Sequence, residues 1–316
     1  MNLEFQPFVS VVTPVYNMGS FLSACIESVL TQSYKDFEYI VVNNCSTDDS
    51  LEVALRYAER DPRVRVHTND RFVGMRENHN IAFSLISPAA KYCKVVSADD
   101  FIFPDCLKCM VEFAESNPSV GIVGSYQITE SRVRWQGFPY PQAVFSGREI
   151  CRRVFLGGEK TFGFGCPTSI LYQADIVRKD VSFYPDSSPH EDTSACFKAL
   201  QHTDYGFVYQ VLSYMRPHAN TQSSRSARMN LYASAYLHDL LQYGPHYLSK
   251  EEFDCLLRKT LASYYEYLAF NMIKSRGNEF WEYHRNRLDE LGFPITAWEL
   301  VKAFLRKGLR IVTSSV

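Results

Sequence analysis

Short apolar runs rich in β-branched residues recur along the first third of the chain, separated by stretches whose apolar residues fall three and four apart. That alternation restricts the fold more than any other feature of the sequence. Phe8 to Thr13 reads FVSVVT and is closed by Pro14, while residues 37–42 read FEYIVV and are closed by Asn43-Asn44. Both have the length and composition of strands buried on two faces. Between them Phe21, Leu22, Cys25, Ile26, Val29 and Leu30 share one face of a helix. A second helix is expected next, with Ser46 as its cap and Asp49 three residues on, and with Leu51, Ala54, Leu55 and Ala58 as its inner stripe. A strand near Val64 to His67, a helix from about Glu77 to Ile86 and a strand from Cys93 to Ser97 extend the pattern. Such a succession predicts an α/β, Rossmann-like, mostly parallel sheet flanked by helices.

The regularity weakens after Pro104. Leu107, Met110, Val111 and Ala114 mark a helix and Gly121 to Ile128 a strand, and mixed topology is expected there. Ser146 with Glu149 forms a capping pattern, and Gly157-Gly158 supplies a stop for one more helix. From about Arg225 almost everything is helical, with the capping pattern repeated at Ser249 and Glu252 and at Thr296 and Glu299. The sequence thus divides into residues 1–110, 111–222 and a C-terminal helical region, 223–316.

Bulk properties narrow the function classes. The 316 residues are 46% hydrophobic and can bury one large core or two smaller ones. Thirty-three basic residues against 35 acidic give a formal charge of -2, so no basic excess argues for a nucleic-acid partner. The opening Met1-Asn2-Leu3-Glu4 lacks the features of a secretory signal, and no stretch approaches the ~20 apolar residues that span a bilayer, so a cytoplasmic chain is expected. Nine scattered cysteines read as reduced thiols. Cys106 and Cys109 have zinc-ligand spacing, but no second pair follows, and buried thiols on a helix are the better reading.

In an open α/β sheet the ligand crevice lies at the carboxyl ends of the strands. Those ends are polar here: Thr13-Pro14-Val15-Tyr16-Asn17, Asn43-Asn44-Cys45-Ser46-Thr47-Asp48 and Ser97-Ala98-Asp99-Asp100. No GxGxxG or GxxxxGKS loop is present, which argues against a dinucleotide oxidoreductase or a P-loop kinase. Adjacent carboxylates at the end of an apolar strand repel one another and lose hydration, a cost that a divalent cation offsets. Hard oxygen ligands suit magnesium or manganese. The other reading of Asp99 or Asp100 is as a cap for the helix beyond Pro104.

VSVVTPVYN (Val9 to Asn17), YKDFEYIVVNNCSTDDS (Tyr34 to Ser50) and SADDFIFPD (Ser97 to Asp105) together resemble the donor half of family 2 glycosyltransferases. The likeness is strong over residues 8–110 and thinner to about residue 222. It implies a GT-A fold and a cytoplasmic, inverting enzyme of polysaccharide biosynthesis that takes a nucleotide-diphosphate sugar and uses Mn2+ or Mg2+. By position it implies that Pro14 and Tyr16 border the nucleotide, with Tyr16 packing on the base. Asn44 would pair with the base edge, Arg76 would lie by the base or diphosphate, Asp99 would face the ribose and Asp100 would ligate the metal. Two departures stand out: the family commonly has Asp-Asp where this chain has Asn43-Asn44, and often an aspartate where Ser97 stands. An asparagine can accept from N3–H and donate to O4 of uracil or thymine, so a UDP- or dTDP-sugar donor is expected.

Transfer also needs a base for the acceptor hydroxyl. In the His190-Glu191-Asp192 run, Asp192 precedes the helical stripe Ala195, Cys196, Ala199 and Leu200, and the resemblance gives an aspartate at this place the role of general base, with Glu191 beside substrate. The plain alternative is an acidic helix start favoured by the macrodipole. The loop Thr161 to Ser169 has the small and aromatic mix that lets a sugar approach backbone, or equally that of a plain connector, and His218 follows a strand, where the resemblance sets a histidine by the metal or diphosphate and the plain alternative is a structural histidine. The acceptor is expected to be a glycan or lipid-linked hydroxyl. The apolar and basic residues from Lys302 to Val312 form an amphipathic end that suits peripheral contact with the inner face of an anionic membrane, although so short a stretch is better read as a terminal helix docked on its own domain with its basic side in water. Two rival functions are a catalytically inactive nucleotide-sugar or carbohydrate-binding module and a sugar nucleotidyltransferase.

Overall fold

The computed structural model describes residues 8–157, 163–186, 188–217, 226, 228–274 and 276–313, with side chains through Arg306. It divides into two compact units, residues 1–187 with 191–217 and residues 188–190 with 218–316.

The first unit opens with β1 (Val9–Val15), α1 (Gly19–Leu30), β2 (Phe37–Asn43), α2 (Ser50–Ala58), β3 (Val64–Thr68), α3 (Met75–Ser84) and β4 (Tyr92–Val95). After these come β5 (Phe101–Ile102), α4 (Cys106–Ser116), β6 (Val120–Thr129), β7 (Arg132–Arg134), β8 (Val144–Phe145), α5 (Gly147–Gly157), β9 (Ile170–Gln173), α6 (Ala174–Arg178), α7 (Glu191–Ala199) and β10 (Asp204–Tyr214). Among the described residues these strands form one sheet in the order β3-β2-β1-β4-β9-β6-β10-β5, with β7 added on β6 and β8 on β10. The first four strands are parallel, and β9 runs antiparallel to both β4 and β6. The mixed topology expected after Pro104 therefore enters through β9, inserted between β4 and β6. Strands β1, β2 and β4 read as continuous apolar runs because helices cover both faces, and their side chains join those of α1, α2 and α4 in the core.

Several local expectations are corrected. Strand β1 does not stop at Pro14 but runs to Val15. Its ladder with β4 ends at Val12, and Pro14 lies beyond that point on the β4 side, so its missing N–H costs no sheet bond. Ser46 does not cap α2; its hydroxyl accepts from the Asn17 N–H at 3.1 Å. The inner face of α2 contains Val53 and Ala54, while Leu55 is exposed. Neither Asp99 nor Asp100 caps α4, which begins after Asp105.

The second unit contains α8 (Leu231–Tyr247), α9 (Lys250–Asn271), α10 (Asn278–Glu290) and α11 (Ala297–Thr313). Ser249 and Glu252 close a reciprocal capping box at the start of α9, and the Thr296 hydroxyl accepts from the Glu299 N–H at 3.2 Å ahead of α11. Leu237, Tyr264, Leu268, Phe280, Leu288 and Ala303 build a separate small core.

Candidate active site

The crevice is shaped by how two turns are stitched together. After β1 the chain turns through Asn17 (φ 52°), and after β2 through Cys45 (φ 55°). Asn17 accepts from the Thr47 N–H at 2.8 Å, and Ser50 Oγ accepts from the Met18 N–H at 2.9 Å. Asp48 accepts from the Gly19 N–H at 3.0 Å. A Cβ at Gly19 would stand 1.6 Å from the Asp49 carboxylate, so the close approach of the turns demands glycine there. The Ser-Thr-Asp-Asp-Ser run thus serves as a set of acceptors that fix one crevice loop against the other.

Tyr16, at the mouth of this crevice, is 43% exposed and packs against Phe72, 57% exposed, with ring centroids 4.7 Å apart. Two large aromatics in mutual contact and open to water form a platform for a flat, apolar ligand. Phe72 is absent from the sequence-based site. It lies in the loop after β3, and applying the strand-end rule to that strand as well would have found it.

Asn44 is buried, and its amide is committed to the same loop. Its Nδ2 donates to the Val73 carbonyl at 2.8 Å, while its Oδ1 accepts from the Val73 N–H at 2.9 Å and from Asn69 Nδ2 at 3.1 Å. An asparagine paired in this way with main chain sets the course of the loop that carries Phe72. Arg76, in the first turn of α3, donates to the carbonyl oxygens of Pro185 and Asp186 and pairs with the Asp186 carboxylate at 3.3 Å. One turn further on, Asn80 exchanges two hydrogen bonds of 2.9 Å with the main chain of Tyr184. Helix α3 therefore holds the segment that leads to Glu191 and Asp192.

Beyond β4 the Asp99-Asp100 turn is gripped from two sides. Asp100, 4% exposed, accepts from Thr168 Oγ1 at 2.7 Å on Oδ2 and from the Arg216 N–H at 3.2 Å on Oδ1. Arg216 Nε also donates to the Asp99 carbonyl at 3.2 Å. Burial, and after it the adjacent Asp99 charge, pushes the Asp100 carboxyl up to about 7. Such a carboxylate is poised for a cation.

At the start of α7, Glu191 is 9% exposed, and burial together with the neighbouring Asp192 pushes its carboxyl up to about 7. Asp192 is half-buried and accepts from the Thr193 N–H at 2.8 Å. Of the loop expected to approach a sugar, Thr161 and Phe162 lie outside the described residues. Its second part is fixed by the Phe164 carbonyl, which accepts from Tyr205 Oη at 2.6 Å, and by Gly165 at φ +120°, a conformation that favours glycine. His218 lies outside the described residues.

The profile of the glycosyl transferase family 2 matches residues 10–179, more than half of the chain. The protein MT1568 of Mycobacterium tuberculosis is 26% identical over 229 residues, 70% of each chain. Glycosyltransferase GlyG of Streptococcus pneumoniae is 30% identical over 118 residues, 37% of this chain and 38% of GlyG, so the match spans well under half of that relative. Among solved structures, S. aureus TarS in complex with UDP superposes over 94% of this chain and 80% of its own, with a TM-score of 0.62 at 15% identity. The mannosyltransferase PcManGT of Pyrobaculum calidifontis, in complex with GDP-Man and Mn2+, covers 96% of this chain and 87% of its own, with a TM-score of 0.58 at 14% identity. The last two establish the GT-A fold, and the profile, which spans the strand ends of the donor crevice, establishes that the chain belongs to the glycosyl transferase family 2.

Proposed function

We propose that the protein is an inverting, divalent-metal-dependent glycosyltransferase that moves a sugar from a UDP- or dTDP-sugar to a hydroxyl of a glycan or lipid-linked acceptor. The observation that carries this reading is the buried Asp100 carboxylate, with a donor on each oxygen, beside Asp99 at the carboxyl end of β4. The residues present fit a hard divalent ion: each Asp100 oxygen keeps a free lone pair after its one hydrogen bond. No group of three or more His, Cys, Asp or Glu side chains forms a ready cage among the described residues. Mn2+ or Mg2+ commonly binds through one or two carboxylates, the remaining ligands coming from water and substrate phosphates. The bound ion would offset the charge that grows on the departing diphosphate.

The chain's own residues then divide the work. Pro14 and the Tyr16–Phe72 pair border the base, with Asp99 toward the ribose. Asn44, engaged with Val73, shapes the base pocket through its loop, which departs from a direct reading of the base edge. The uridine preference draws its support from TarS, solved with UDP and with UDP-GlcNAc. Arg76 reaches the diphosphate by exchanging Asp186 for it. Asp192 takes the proton of the acceptor hydroxyl as that oxygen bonds to the anomeric carbon, the bond from this carbon to the diphosphate breaks, and the configuration inverts. Glu191 borders the substrate beside it. His218 is a further candidate for the metal or diphosphate. Peripheral membrane contact through α11 belongs to the same reading.

A thermal-shift screen of nucleotide sugars with Mn2+, followed by assay of donor hydrolysis, tests the proposal. Stabilisation by a UDP- or dTDP-sugar with slow hydrolysis is expected, since a ligand that binds only the folded state raises its melting point. Stabilisation without hydrolysis or transfer would identify a binding module instead.

A further inference from the structure

Lys94 occupies the middle of β4 with no exposed surface, an unusual place for an ammonium group. Two main-chain carbonyls receive it: Nζ donates to the Thr168 oxygen at 2.5 Å and to the Ile170 oxygen at 2.9 Å. One carbonyl lies within the turn Pro167–Ser169 and the other on Ile170, the first residue of β9. The side chain of Thr168 is itself fully buried. Its Oγ1 accepts from the Ser97 N–H at 3.1 Å and donates to Asp100 Oδ2 at 2.7 Å. A single chain of contacts therefore runs from Lys94 through the backbone and hydroxyl of Thr168 to the strand-end carboxylate.

A carboxylate turns easily about its terminal bond, where the rotamer wells are broad. The Arg216 N–H restrains Oδ1, but one donor leaves the plane free to rock about that contact. The Thr168 hydroxyl on the other oxygen removes this freedom. We propose that Thr168, anchored by Lys94, is a positioning residue that fixes the Asp100 carboxylate in the orientation its cation requires. Lys94 acts one step further out, because an apolar residue in its place would remove the donor it gives to two carbonyls of this segment. The proposal rests on the metal-dependent reading of Asp100.

Hydrogen-bond partners of a metal ligand typically contribute 10- to 100-fold in metal affinity. The experiment is titration of Mn2+ into the full chain in the presence of UDP, followed by the electron paramagnetic resonance of free Mn2+, with melting temperature recorded for each variant. Thr168→Val keeps the shape and deletes the hydroxyl; it should weaken Mn2+ by about 10-fold or more, while Thr168→Ser, which restores the donor, should bind within a few-fold of the wild type. Asp100→Asn separates the two layers of the argument. Thr168→Val at wild-type Mn2+ affinity, when Asp100→Asn has lost it, overturns this proposal alone, whatever the melting temperatures. A wild-type chain that takes up no Mn2+, or an Asp100→Asn variant that keeps it, overturns the metal reading and this proposal with it.

Discussion

The chain carries two pairs of adjacent acids, Asp99-Asp100 at the end of a strand and Glu191-Asp192 at the start of a helix. In each pair one carboxyl is buried and its neighbour less so, and in each the buried one is pushed up to about 7 by burial first and by its neighbour's charge second. What differs is the company each keeps. Asp100 receives a hydroxyl and a main-chain N–H on separate oxygens, and the buried Lys94 charge also favours its ionised form. Glu191 is favoured in its ionised form by a main-chain N–H at the helix start and by the Arg76 charge. Asp100 is held by a donor on each oxygen, which fits the proposed cation, whereas the pair at the helix start lacks that double grip and fits the proposed proton transfer. Equal sequence signals thus take different roles through their surroundings.

The sharpest way to break that contrast is to remove one acid from each pair. Asp192→Asn should lower transfer by ~100-fold or more and leave donor affinity within a few-fold, as expected when a general base is lost without change of shape. Asp100→Ala should abolish metal-dependent binding of uridine diphosphate, measured by titration calorimetry with and without chelator. Undiminished affinity in chelator, or equal loss of binding and turnover in Asp192→Asn, would erase the distinction. Smaller effects belong to the aromatic platform. Tyr16→Ala and Phe72→Ala should each weaken uridine diphosphate about 10-fold in competition assays, because a stacked base contributes on the order of 1–3 kcal/mol. A clear preference for guanosine diphosphate in those assays would show that the donor class is wrong.

The proton-exchanging pair leaves a mark on stability as well. Burial raises the folded Glu191 carboxyl from 4.5 to about 7, so between those values the folded chain binds the proton more tightly than the unfolded chain does. Stability should therefore fall as pH rises through that window and level off above it. The contribution of Glu191 is on the order of 3 kcal/mol, and because the Asp100 carboxyl is raised into the same range, Glu191→Gln should remove only its own share of this slope in metal-free denaturant titrations.

The strand-helix succession was legible because both faces of β1, β2 and β4 are covered, which leaves mainly apolar runs. Strand β9, which makes the sheet mixed, carries only four residues between a turn and α6 and gives no such signal. The candidate residues at the ends of β1, β2 and β4 could be found from the strand-end rule and the family likeness. Phe72 was within reach of the strand-end rule applied to β3, and Thr168 stood in the loop Thr161 to Ser169, but the role of neither could be read there, since each acts through a contact distant in sequence: Phe72 with Tyr16, Thr168 with Asp100. Lys94 within an otherwise apolar strand was the one local clue to the second of these. Asn44 shows what strand-end position alone does not tell, since its amide is engaged by the Val73 main chain and by Asn69.

The smallest expected effect concerns the second unit, where sequence patterning left two faces of α11 in competition for the protein. Leu300 and Ala303 pack into the small helical core, while Trp298, Val301, Phe304 and Leu305 remain between 49% and 65% exposed. In sequence this helix carries Lys302, Arg306, Lys307 and Arg310 against the single acid Glu299, which pairs with Lys302 at 2.9 Å. None of the described helices is long and apolar enough to cross a bilayer. An amphipathic face with aromatic and basic residues instead matches the interface of an anionic membrane, where apolar burial and electrostatic attraction add. Flotation of the full chain with vesicles of anionic and zwitterionic phospholipid should therefore recover protein with the anionic set at low salt, and recover less as salt screens the attraction. Deleting residues 296–316, or combining Trp298→Ala with Leu305→Ala, should reduce recovery while leaving Mn2+-dependent nucleotide binding unchanged, because the metal and nucleotide candidates with described positions lie in the first unit. A full-length chain that stays unbound on anionic vesicles at low salt, where attraction is strongest, removes the membrane role.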